Sequence, residues 1–221
     1  MKKRDSMKRE SFAIIFACLA LGLVAQDGIR VNFQGANPTI SDLAWAYLSS
    51  YDDVDDDEDC ADESFNAVRY AWVQHMKGLP QEEGMTLTID QKNGFVLYEY
   101  KSEYEAVEDL VSVNDLVRIE MCYWNEADGK HKLFAYNVAC FRNGEYNPGQ
   151  FDGLTFYRYD NASRTMTMCD PPGFEVVFSA EDGSWVSHAL PRTGKDIIVT
   201  TWHESGETQE TLKWNGRKFS R

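Results

Sequence analysis

Catalytic signatures are the first thing this sequence lacks. It contains no Gly-x-Ser-x-Gly elbow, no Ser-x-x-Lys, no phosphate-binding loop and no dinucleotide fingerprint. Its four histidines, His75, His131, His188 and His203, have no second His or Cys three or four residues away, so a zinc pattern is missing too. Positive charge is scarce: 22 Lys and Arg stand against 36 Asp and Glu, for a net charge of −14. Such a surface repels phosphate backbones and anionic headgroups, which argues against nucleic acid and membrane surfaces as partners. Long apolar runs are confined to one place, the N-terminus.

That run is the strongest positive signal. Lys2, Lys3, Arg4, Lys8 and Arg9 precede an almost unbroken apolar stretch from Phe12 to Val24, which closes on Ala25 before Gln26-Asp27. This is the pattern of a cleaved secretory signal peptide, predicted over residues 1–25. The stretch is too short to span a hydrocarbon core of about 30 Å as a helix, so no stable membrane anchor is expected. Ile15-Phe16-Ala17-Cys18 puts a bulky Phe where a lipobox needs a small residue, so Cys18 is read as unlipidated. Cleavage near Ala25 leaves 17 basic and 34 acidic residues, a net charge of −17, in a periplasmic or extracellular chain of single-domain size.

Hydrophobic periodicity predicts one α+β domain over 26–221, with a helical part (26–80) and an antiparallel β part (81–221). Gly28–Gln34 alternates as a strand. Ile40, Leu43, Ala44, Tyr47 and Leu48 recur at helical spacing after Pro38-Thr39. Phe65, Val68, Ala71, Trp72 and Met76 form a second stripe that stops at Gly78 and Pro80. Hairpins are then expected around 91–94, Asp128-Gly129, 160–163, 181–183 and Ser205-Gly206. Residues 102–113 read either as a helix, with Ser102 and Glu105 as a capping box, or as a long loop. Two N-terminal helices packed on a large antiparallel β-meander follow, as a sandwich or partly open barrel. A propeller ranks lower because no motif recurs at a fixed period.

Once the leader is removed, Cys60, Cys122, Cys140 and Cys169 remain, an even number in an oxidising compartment. With a turn centred on Asp128-Gly129, Cys122 falls opposite Ala135 and Cys140 opposite Val117. That puts the two cysteines about 16 Å apart along the ladder, beyond disulfide reach. The open pairings are Cys60–Cys122 with Cys140–Cys169, or Cys60–Cys140 with Cys122–Cys169.

Candidate chemistry is sparse. The acidic run at residues 52–59 places Asp53, Asp55 and Asp57 at the first three ligand positions of an EF-hand loop. Glu58 and Ser64 then stand where Gly and Glu are required, so the motif fails and only a looser Ca²⁺ site is left. No other cofactor is indicated. Tyr146 and Phe151 sit in a polar, turn-rich loop, where large rings have little packing reason to be, and are candidate ligand contacts. His203 joins them because it ends a strand at a hairpin tip.

The leader ending Val24-Ala25-Gln26-Asp27 and the closing Thr211–Phe219 segment resemble exported β-rich proteins of Bacteroides-like gut bacteria. The resemblance implies export but carries no site residue. The leading expectation is an exported, non-enzymatic binding module for a protein or glycan ligand. The alternatives are a carboxylate-dependent hydrolase of glycan or cell-wall material and a calcium-dependent adhesive or structural protein.

Overall fold

The computed structural model of the chain describes residues 28–50, 61–106, 111–149 and 152–221. They form an α+β fold in three layers. The helices are α1 (Ile40–Ser49) and α2 (Ala61–Met76). The large sheet is built from β1 (Ile29–Arg30), β2 (Met85–Asp90), β3 (Phe95–Ala106), β4 (Val111–Asn125), β5 (His131–Arg142), β6 (Glu145–Tyr146), β7 (Gly153–Asp160) and β8 (Thr165–Cys169). Its order is β1-β8-β7-β5-β4-β3-β2, with β6 paired to β5. A second sheet holds β9 (Trp185–Ala189), β10 (Ile197–His203), β11 (Gly206–Trp214) and β12 (Phe219–Ser220), in the order β12-β11-β10-β9. All pairings are antiparallel, as the run of short turns requires.

Local chemistry sets the helix ends. Thr39 caps α1: its hydroxyl accepts from the Asp42 N–H, while the Asp42 carboxylate takes the Thr39 N–H at 2.7 Å. α2 stops where Gly78 turns left-handed (φ +67°), with the Leu79 N–H returning to the Gln74 carbonyl.

Strand alternation then sends each residue of the large sheet to one of two layers. Ile119 and Met121 of β4, Phe134, Tyr136 and Val138 of β5, and Tyr157 and Tyr159 of β7 face the helices. Tyr47 of α1 inserts among them, its ring centroid 4.8 Å from Tyr136, 5.2 Å from Tyr157 and 5.6 Å from Phe134. On the opposite face, Cys122, Trp124, Leu133, Ala135 and Phe156 meet Val186, Ile197, Val199, Leu212 and Phe219 of the second sheet. Trp124 anchors this second core. Its ring lies 5.1 Å from Phe219, and its indole N–H donates to the Lys195 carbonyl at 2.8 Å.

Three expectations need correction. Residues 102–106 continue β3, and 111–113 begin β4. Ser102 sits opposite Asp115 rather than at a helix cap, because twelve cross-strand rungs outweigh a local helical spacing. Residues 174–178, expected as the first arm of the hairpin around 181–183 with 185–190 as the second, form no strand. Phe174, Val176 and Phe178 are partly buried against the second core, and an isolated bridge follows them at Ser179–Trp185.

The disulfides are the third. Cys122, Cys140 and Cys169 are free thiols, and Cys60 lies outside the described residues. The β4–β5 register is the one read from the turn, with Cys122 opposite Ala135 and Cys140 opposite Val117. It also explains the missing bonds. Cys122, Ala135, Phe156 and Cys169 form one cross-strand row, so Cys122 and Cys169 are three strand spacings apart, about 14 Å. Cys140 has the opposite parity to Ala135 and so projects from the other face of the sheet.

Candidate functional site: the cleft between the sheets

The second sheet meets the large one along a strand edge, and the site originates there. β9 is an outer strand, and its unpaired backbone groups must find partners where the layers meet. The Val186 N–H bonds to the Phe178 carbonyl. Beyond it the partners are side chains of the large sheet. Asn137 donates to the His188 carbonyl at 2.8 Å, and the Leu190 N–H donates to Glu120 Oε2 at 2.9 Å. Asn137 also donates to the same Oε2 at 3.2 Å, so both hydrogen bonds to Glu120 fall on one oxygen. Glu120 and Asn137 are buried, at 6% and 1% exposure. They hold the edge strand in place of a neighbouring strand.

Past this contact the two sheets diverge and enclose a cleft of about 1370 Å³. One wall belongs to the large sheet: Arg118 and Glu120 from β4, Ala139 and Phe141 from β5. The other is the face of the second sheet turned away from Val186 and Val199. Its rungs place Ser187, Thr200 and Gln209 in one row and Trp185, Trp202 and Glu207 in the next. Trp185 is 48% exposed, and the Trp202 indole N–H donates to Ser187 Oγ at 2.8 Å. Phe141 meets the Trp202 ring at 6.2 Å.

Electrostatics differ along the cleft. Burial raises the pKa of Glu120; the Leu190 N–H, the Asn137 amide and the charge of Arg118 oppose that shift. Arg118 itself is engaged elsewhere: its Nε and Nη2 both donate to Glu99 Oε1, and its guanidinium lies 5.3 Å from the Phe141 ring centroid. His188, buried on the far side of β9, is held neutral by desolvation, its pKa lowered to about 4. Its Nδ1 has no hydrogen-bond partner.

The residues singled out from sequence fall around this cleft rather than in it. Tyr146 is 6% exposed and has a packing reason after all: it stacks on Trp202 at 6.3 Å and meets Phe141 at 5.8 Å, so it backs the aromatic wall. His203 has the parity of Val199 and faces away from Trp202. Its Nδ1 is 2.8 Å from Ser184 Oγ and 3.7 Å from Asp182, both in the adjoining turn. Phe151, Asp53, Asp55 and Asp57 lie outside the described residues.

Among the described residues one group has metal-ligand geometry: Glu126, Asp128 and His131. A cation is already there. Arg158 binds Glu126 through two hydrogen bonds, at 2.8 and 2.5 Å, with the same Nη2 3.3 Å from His131 Nδ1. The guanidinium fills the position a metal ion would take.

Sequence reasoning missed Glu120, Trp202 and Gln209. For Glu120 a signal was present. Alternation puts it on the same strand face as Cys122 and Trp124, and a carboxylate continuing an apolar face in mid-strand is uncommon without a purpose. No protein-family model, curated protein or solved structure matches this chain.

Proposed function

We propose that the protein is an exported, non-enzymatic carbohydrate-binding module and that its ligand lies in the cleft between the sheets. One observation carries this reading. On one face of the second sheet, Trp202 and Glu207 run beside a row of Ser187, Thr200 and Gln209. Ser187 and Thr200 form the buried floor of the cleft and Gln209 its exposed side, with Trp185 continuing the aromatic row just outside it. Indole faces cover the apolar face of a sugar ring, while hydroxyls and an amide supply donors and acceptors to its hydroxyls. A few polar groups among aromatic ones in a concave site is the usual composition of a small-ligand pocket. The leader at residues 1–25 supports export to the periplasm or beyond, where such glycans are met.

Titrating the protein with a panel of oligosaccharides tests the proposal, with tryptophan fluorescence as the readout. A subset of sugars should change the emission saturably, and Trp202→Ala should weaken that binding at least tenfold with the circular dichroism spectrum unchanged. A panel with no binding sugar, or full affinity in Trp202→Ala, would sink the reading. Glu120 also favours a second reading, because its raised pKa suits a proton donor in a carboxylate-dependent glycan hydrolase. Release of new reducing ends in the same titration, abolished by Glu120→Gln, would replace binding with hydrolysis.

A further inference from the structure

The deep end of the cleft has a chemistry of its own. Glu120 spends one oxygen on the β9 edge, since the Leu190 N–H and the Asn137 amide both donate to Oε2. That leaves Oε1 to the cleft Glu120 lines. Oε1 is not buried without a partner; it meets the solvent of the cleft, and a carboxylate held in so largely desolvated a setting attracts a cation more strongly than one in open water. The nearest cation of its own strand, Arg118, acts on Glu120 through its charge but gives the hydrogen bonds of Nε and Nη2 to Glu99. The lining of the cleft carries more acidic than basic side chains, Glu83, Glu103, Asp115, Glu120 and Glu207 against Lys101 and Arg118, with Asp115 bound by Arg142 at 2.9 Å. An acidic cleft with low-dielectric aromatic walls concentrates cations. Aromatic faces add to their binding.

We propose that the ligand carries a free ammonium group that binds Glu120 Oε1. On the carbohydrate reading, on which this inference rests, the ligand is an oligosaccharide with an unacetylated amino sugar. The strand register supports an extended ligand. Ala189, next to the Leu190 N–H that binds Glu120, pairs with Ile198, and Trp202 lies four residues further along β10. The carboxylate and aromatic ends are therefore about 13 Å apart at ordinary strand rise. An amino sugar at the deep end leaves later rings of the chain over Trp202.

Three β-1,4-linked tetrasaccharides that differ only at C2 give a direct test: cellotetraose (hydroxyl), chitin tetraose (acetamide) and chitosan tetraose (ammonium). Calorimetric titration of the full chain at pH 6 should show chitosan tetraose binding at least tenfold more tightly than the other two. Glu120→Gln keeps an acceptor for Leu190 and Asn137 and should remove that preference while leaving affinity for the neutral sugars within about twofold. Equal affinity of the wild-type protein for all three sugars would overturn the ammonium assignment and leave the carbohydrate reading standing. An ammonium preference that survives Glu120→Gln would likewise reject Glu120 as the anchor. Spermine separates the two readings in the other direction. If no sugar binds but spermine does so in a Glu120-dependent way, the ammonium site holds and the carbohydrate reading fails.

Discussion

The two faces of the large sheet use the same strands in opposite ways. Along β5, Phe134, Tyr136 and Val138 all turn toward the helices, and every one is buried among aromatic and aliphatic neighbours. The residues between them, Leu133, Ala135, Asn137, Ala139 and Phe141, turn toward the second sheet. That face is apolar at one end, polar in the middle and open to the cleft at the other. A face packed along its whole length is specialised for stability. One that begins as core and ends as cleft gives up part of its burial to display Glu120, Arg118 and Phe141. The domain thus separates its tasks across a single layer, and substitutions on either side should fail in different ways.

The largest effect is expected on the helix face. Tyr47→Ala removes a ring packed against Phe134, Tyr136 and Tyr157 and leaves a cavity, at a cost of about 3–5 kcal/mol. For a domain of this size, thermal unfolding should shift down by roughly 2–4 °C per kcal/mol. If the cleft binds sugar as proposed, its affinity, measured well below the new transition, should remain at the wild-type value. Loss of affinity in a still-folded Tyr47→Ala protein would mean that the two faces are coupled.

Next in size is a pH effect from the cleft side. His188 is neutral in the fold, with a pKa of about 4 against an ordinary 6.5, because burial disfavours its cation. Between those values the unfolded chain binds more protons than the folded one, so stability falls as pH drops from about 6.5 toward 4. The full loss is about 3 kcal/mol. Glu120 works in the other direction. Its raised pKa lets the folded state take up a proton first, which offsets part of the loss as pH falls. Urea unfolding at pH 7 and pH 4.5 isolates the histidine if His188→Gln is compared with wild type. The variant should lose less stability on acidification, and an identical loss would remove His188 as the cause.

How much of this was legible in the sequence follows the same division. Period and capping identified both helices, and the Asp128-Gly129 turn fixed the β4–β5 register down to Cys122 opposite Ala135. These features depend on neighbours in the chain. The cleft does not. Glu120 and His188 are 68 residues apart, and their relationship exists only because the β9 edge is laid against β4 and β5. The sequence offered an out-of-place carboxylate on an apolar strand face but no indication of which edge it would meet. Tyr146 shows the complementary error: its loop looked solvated, and the rings of Phe141 and Trp202 that bury it come from other elements.

Asn137 gives the sharpest and smallest test of the comparison, because it adjoins Val138 in sequence but faces the opposite layer. Its amide donates to the His188 carbonyl and to Glu120 Oε2, and the Asn137 side chain is itself buried, at 1% exposure. Asn137→Ala removes the side-chain donor of the His188 carbonyl and leaves Glu120 Oε2 with the Leu190 N–H alone, at a cost of about 1–3 kcal/mol. It also removes a hydrogen bond that favours the ionised form of Glu120, so the carboxyl should take up its proton at a still higher pH. If Glu120 holds an ammonium ligand, Asn137→Ala should therefore weaken chitosan tetraose binding progressively more as the pH is lowered from 6, where the ligand stays an ammonium, with cellotetraose unaffected. Equal weakening of both sugars at every pH would show instead that Asn137 only fixes the spacing between the sheets. The polar middle of the face would then belong to the fold, and the cleft would begin beyond it.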